Sequence, residues 1–209
     1  MMQSKKKIPA PIPVFCYAVA ILLWLVTSLY HLGADVLAKQ MGKLYEQQLT
    51  VDSFELVNMH KQEDGTYLTE NDDPQMIWYN TEGIAVRTLR MTASFDRSPR
   101  EMCLYYTTKE GEDFGVNKRV FASQQDDGSY VYTLPQGTIT ALRLDPCSPL
   151  ENKPVTMTIE QFVLNQPAGV LSYFAPGWAG AFHLVVYPGL CAAALSLMRQ
   201  AVLYYKRKK

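Results

Sequence analysis

Two long stretches without a formal charge constrain this chain more than any other feature. Twenty-seven residues separate Lys7 from Asp35 and thirty-eight separate Glu160 from Arg199, with no Asp, Glu, Lys or Arg among them. A helix rises about 1.5 Å per residue, so roughly 20 apolar residues cross the ~30 Å hydrocarbon core of a bilayer. Residues 8–34 and 177–198 both meet that length. The sequence therefore predicts two membrane spans with a polar region between them.

Charge distribution gives the orientation. All 20 acidic residues lie from Asp35 to Glu160, where they outnumber the basic ones by eight, whereas both ends of the chain are purely basic. Lys and Arg mark the cytoplasmic flanks of membrane helices. Both termini are thus expected in the cytoplasm, with residues 1–7 and 199–209 as basic tails and the centre outside. A cleaved signal peptide is the rival reading of the N-terminus, but an apolar run near 25 residues exceeds the usual h-region of about 7–15, which favours an uncleaved signal anchor. Residues 35–50 hold apolar side chains at helical spacing and read as a helical stalk, and residues 166–176 read as a linker.

Within the second span, Gly189 and Ala193 form a small-residue pair that lets another helix dock closely, and Pro188 is expected to kink the helix. His31 and His183 sit near the outer boundary of their spans. Neither span contains an acid to complete a proton relay, so transport is disfavoured.

In the central region the period changes from helical to alternating. Runs such as Gln75 to Tyr79, Leu89 to Phe95, Cys103 to Thr107 and Val155 to Leu164 read as strands, separated by turn sequences such as Glu63-Asp64-Gly65 and Asp126-Asp127-Gly128. About eight short strands with no helical pattern between them predict an antiparallel β-sandwich over residues 51–165. Cys103 and Cys147 are the two cysteines outside the spans and form a candidate disulfide, although nothing in the sequence shows that they meet.

Three local patterns occur in order: Asn71-Asp72-Asp73-Pro74-Gln75 leading into Met76-Ile77-Trp78-Tyr79, then Cys103-Leu104-Tyr105-Tyr106-Thr107, then Ile139-Thr140-Ala141-Leu142-Arg143-Leu144-Asp145-Pro146. Together they resemble a jelly-roll, carbohydrate-binding-module-like sandwich of bacterial membrane proteins of cell-surface polysaccharide synthesis, often attached to glycosyltransferases. The resemblance spans residues 51–164. It implies a bacterial cytoplasmic membrane location and a role beside a glycosyltransferase, but the central region leaves no room for such a catalytic domain.

Sugar recognition pairs aromatic platforms with planar polar groups. Trp78, Tyr79, Tyr105 and Tyr106 supply the aromatics, with Asp73, Gln75 and Arg143 as polar candidates; strand aromatics also serve packing, and adjacent Tyr105 and Tyr106 must face opposite sides. Arg143 and Asp145 share a strand face and are expected to form an ion pair that fixes the turn at Pro146. The acidic turns at Glu70 to Asp73 and at Asp126-Asp127 lack EF-hand spacing and read as solvated turns, and no metal or cofactor motif is present. No spacing nominates a catalytic carboxylate pair, and the acidic centre disfavours nucleic acid.

The function expected from these features is a non-enzymatic, two-span accessory or glycan-binding module of a surface-polysaccharide complex. Its partner would be a larger multispan glycosyltransferase, flippase or polymerase. A free-standing glycan receptor acting through a membrane partner, and a membrane-tethered glycan hydrolase, are the alternatives.

Overall fold

Alternation of apolar and polar residues in the centre of the chain places one face of each strand inward. In the computed structural model, which describes residues 11–151 and 153–208, these faces meet in a two-layer antiparallel β-sandwich. The expected basic tail at residues 1–7 lies outside the described residues.

One sheet contains β3 (Met59–Lys61), β4 (Tyr67–Thr69), β12 (Thr156–Leu164), β6 (Thr88–Phe95), β10 (Tyr130–Thr133) and β9 (Ser123–Gln124) in that order, with β1 (Gln47–Leu49) also paired to β12. The other runs β2 (Glu55–Val57), β5 (Gln75–Tyr79), β11 (Ala141–Asp145), β7 (Cys103–Thr107), β8 (Arg119–Phe121). Met76, Leu104, Leu142 and Leu144 of the second sheet are fully buried with Leu89, Met91, Tyr132, Phe162 and Leu164 of the first. A register shift between Ile159 and Gln161 in β12 leaves Glu160 exposed without turning the apolar ends of the strand outward.

The boundary of the first helix differs from the expected stalk. Helix α1 (Pro11–Gln40) ends ten residues before position 50, and β1 occupies part of the segment expected to be helical. Gly42, at φ 68°, adopts the left-handed conformation, and the amide of Lys43 donates to the carbonyl of Ala38. That is the geometry of a glycine-terminated helix end, and Gly supplies it without a Cβ clash.

The chain divides into two units, one being Asp35–Pro167, which holds the sandwich. The other pairs the chain up to Ala34 with Ala168–Lys209, and contains most of α1 and all of α2 (Trp178–Lys208). Both helices are long and apolar enough to cross a membrane. The basic end of α2 is helical as well. Here the Tyr17 hydroxyl donates to the Val185 carbonyl at 3.0 Å, and a Cβ added at Gly189 would meet that hydroxyl at 3.3 Å. Gly189 therefore admits a close helix, and that helix is α1 of the same chain. Ala193 is exposed.

Candidate functional site

The outer face of the five-stranded sheet gathers the polar residues that its inner face excludes. Strand alternation turns Gln75, Ile77 and Tyr79 of β5, Arg143 and Asp145 of β11, Cys103 and Tyr105 of β7, and Arg119 and Phe121 of β8 to this side. Register aligns Arg143 with Ile77 on one flank and Tyr105 on the other, with Arg119 beyond Tyr105.

Arg143 organises the face. Its Nε and Nη2 donate to the two carboxylate oxygens of Asp145 at 2.8 and 2.9 Å, and Nη2 also donates to Asp73 at 2.9 Å. Gln75 Nε2 donates to the other Asp73 oxygen at 2.6 Å, so residues seventy positions apart join one network. The Asn71 side chain accepts from the Asp73 amide, which sets the turn that delivers Asp73. Burial pushes the Asp145 carboxyl above the usual carboxylate range, although the bonds from Arg143 pull against it. The expected Arg143–Asp145 pair is present, and it is tied to the first sequence pattern through Asp73.

The aromatic candidates separate into two sets. Trp78 is only 8% exposed and belongs to the core, and Tyr106 packs against that core, so neither lies on the outer face. Period-two alternation explains both, since each is flanked by outward neighbours. Tyr105 faces outward, but the guanidinium carbons of Arg143 and Arg119 lie 5.0 and 5.9 Å from its ring centroid, so its ring is already engaged. Tyr79 is 54% exposed at the end of β5 and carries no such cover.

Beside Tyr79 the loop between β7 and β8 borders an open cleft of about 580 Å³ lined by Tyr79, Thr107, Lys109, Asp113, Phe114 and Thr140 among others. The Thr107 and Thr140 hydroxyls bond at 2.8 Å, and Thr140 donates to the Lys109 carbonyl at 3.0 Å, which holds the loop against the sheet end. Glu112 secures its far side. It accepts from the Thr108 amide at 2.8 Å and pairs with Lys118, whose bond is the main reason its carboxyl is pushed down to about 2. Asp113 and Phe114 are not among the residues that the sequence analysis singles out. Phe114, an aromatic inside a Gly-rich acidic loop, was the available signal.

Cys103 and Cys147 are free thiols. Cys103 lies on the outer face, with its thiol 3.9 Å from Asp145, whereas Cys147 packs in the core on the other side of the sheet. The candidate disulfide is not formed for that reason. Burial pushes the two thiols up to about 11 and about 12 respectively. Of the acidic turns, Asp127 is committed to Arg90 and Ser129, and Glu70 to His60. Among the described residues no three His, Cys, Asp or Glu side chains converge on a metal-sized site.

No protein-family model matches the chain, and no curated protein matches it. Among solved structures it is similar to CBM86, a low-affinity xylan-binding module of Roseburia intestinalis, at 18% identity over 60% of this chain and 98% of that one, with TM-score 0.40. It is also similar to a β-1,3-glucan-binding CBM6 of Bacillus halodurans at 9% identity, 59% and 97% coverage and TM-score 0.37. A family two carbohydrate esterase of Cellvibrio japonicus shows 10% identity, 57% and 32% coverage and TM-score 0.35. These neighbours are mostly carbohydrate-binding modules with a β-sandwich fold, and at such scores any functional reading rests on the residues of the site itself.

Proposed function

We propose that this chain is a two-span bacterial membrane protein, with both termini cytoplasmic, whose external jelly-roll sandwich binds glycan as the non-enzymatic accessory module of a surface-polysaccharide complex. The observation that carries the reading is the cavity at the end of the five-stranded sheet, where exposed Tyr79 stands beside Phe114 and the hydroxyls and charged groups of the loop. A pyranose offers C–H faces to an aromatic ring and hydroxyls to polar neighbours, and this cavity has both kinds of wall. Its volume falls within the usual range of small-ligand sites.

Catalysis finds less support on the neighbouring sheet face. The carboxylates of Asp73 and Asp145 are both committed to Arg143, so neither is placed to shuttle a proton. The double anchor favours work beside a larger multispan partner, such as a glycosyltransferase, flippase or polymerase. The test is saturation-transfer NMR of the full-length protein in detergent against xylo-, gluco- and N-acetylglucosamine oligosaccharides, together with mild-detergent co-purification from native membranes. Binding of one oligosaccharide class and a stoichiometric multispan companion support the reading. Absence of both overturns it.

A further inference from the structure

Helix α2 leaves a puzzle at its N-terminal side. Ala179 to Met198 is 20 residues, ended by Arg199. At about 1.5 Å each they already fill the hydrocarbon core. The preceding segment, expected as a linker, therefore lies outside the hydrocarbon. Yet it too is uncharged and carries Val170, Leu171, Phe174 and Ala175 in the run Gly169-Val170-Leu171-Ser172-Tyr173-Phe174-Ala175-Pro176-Gly177, with no charge nearer than Glu160 or Arg199.

This segment forms a 3₁₀ turn, Val170–Phe174, that leaves Leu171 82% and Val170 60% exposed while Tyr173 and Phe174 are half-buried, and Trp178, at the helix start, is 95% exposed. Local bonds satisfy part of its backbone, since the Ser172 amide and hydroxyl both donate to the Gly169 carbonyl, at 3.0 and 2.6 Å, and the Ala175 amide donates to the Ser172 carbonyl. Its remaining backbone groups need water or headgroup partners, which the interface supplies and the hydrocarbon does not. Tyr173 and Trp178 are the residue types that settle at the boundary of headgroups and acyl chains.

We infer that residues 170–178 are an interfacial anchor, seated in the outer headgroup and acyl boundary of the bilayer that α2 crosses, with lipid as the occupant of the exposed Val170, Leu171 and Trp178 side chains. This rests on the reading that α2 spans the membrane. The basic end of α2, with Arg199, Lys206, Arg207 and Lys208, would hold the opposite surface, so that the helix is fixed at both boundaries.

Spin-label accessibility tests it in full-length protein reconstituted into phosphatidylcholine and phosphatidylglycerol vesicles. Labels go at Leu171→Cys, at Leu190→Cys within α2 and at Val116→Cys on the sandwich, each in a Cys191→Ala background. Cys103 and Cys147 stay unlabelled at neutral pH, because their buried thiols are pushed up to about 11 and about 12, and Cys16 is buried. The ratio of collisions with oxygen to collisions with a water-soluble nickel chelate is expected at Leu171 to be roughly threefold or more above Val116, and below that at Leu190. A Leu171 ratio equal to that of Val116, with Leu190 still lipid-exposed, overturns the anchor alone. Nickel access at both Leu171 and Leu190 overturns the spanning reading with it. Shielding of Leu171 from both probes also overturns the anchor, since protein and not lipid would then cover it.

Discussion

Replacing Arg143 by Met should expose how much of the sandwich depends on one guanidinium. The Arg143 and Asp145 side chains are 20% and 12% exposed and joined by two bonds of 2.8 and 2.9 Å. Two unit charges about 4 Å apart at an effective dielectric near 20 attract by roughly 4 kcal/mol. Breaking such a pair leaves the carboxylate buried with the Cys103 thiol at 3.9 Å as its remaining side-chain donor, at a cost of about 3–5 kcal/mol. At roughly 3–5 °C per kcal/mol for a domain of this size, the melting temperature should fall by about 10–20 °C. Trp78, the single tryptophan of the Asp35–Pro167 unit, reports it by fluorescence in the detergent-solubilised chain.

The loss should depend on pH with a defined sign. Burial already raises the Asp145 carboxyl in the folded state, and removing Arg143 raises it further. A group raised on folding stabilises the fold below its unfolded pKa and loses that contribution as pH rises through the folded value. The Arg143→Met penalty is therefore largest at pH 7 and shrinks toward pH 4. Asp145→Asn should cost less, about 1–2 kcal/mol, because Asp73 still pairs with Arg143. The double variant should recover roughly 2 kcal/mol of the summed losses. A melting temperature within about 3 °C of wild type at pH 7, with no pH dependence, refutes the assignment of Arg143 as the group that keeps Asp145 tolerable.

Three further outcomes follow from the same structure. The Tyr132 hydroxyl is buried without a hydrogen-bond partner, so Tyr132→Phe should stabilise the sandwich by about 1–3 kcal/mol in urea titrations, and a loss of stability would reveal a hidden partner. Glu112 is lowered from 4.5 to about 2, chiefly by Lys118, so its contribution is present above pH 4.5 and disappears as pH falls toward 2. Hydrogen-exchange protection of the loop between β7 and β8, relative to the intrinsic rate at each pH, should fall over that interval in wild type but not in Glu112→Gln. Cys103 and Cys147, free and buried, should resist iodoacetamide at neutral pH by mass spectrometry, and reductant should leave the melting temperature unchanged.

Much of this architecture was legible in the sequence because two periods dominate it. The strand expected at Gln75 to Tyr79 is β5, and the runs beginning at Leu89, Cys103 and Val155 became β6, β7 and β12 within a residue or two. The short strands β3 and β4 escaped notice, since three-residue strands carry too few alternations to register, although the Glu63-Asp64-Gly65 turn between them was visible. The stalk was overextended because apolar spacing around Leu37 and Leu44 outweighed Gly42 as a stop signal.

The site was only half legible. Asp73, Gln75, Tyr79, Tyr105 and Arg143 do share one face, yet sequence gave no means of telling which of Trp78 and Tyr79, or of Tyr105 and Tyr106, would turn inward. Burial decides that, and it depends on the opposing sheet. The cavity itself arises where the β7–β8 loop folds back over the end of the sheet, bringing Asp113 and Phe114 next to Tyr79. Contacts of that kind are tertiary and leave no period in the sequence.

The most direct measurement is the dissociation constant of the best oligosaccharide for wild-type protein and for Tyr79→Ala, by calorimetry on the full-length chain in detergent. Losing an exposed aromatic platform of this kind costs roughly 1–2 kcal/mol, so affinity should drop by about 5- to 30-fold while the Trp78-reported melting temperature stays within a few degrees. Unchanged affinity in Tyr79→Ala would contradict the placement of the glycan site at this cavity.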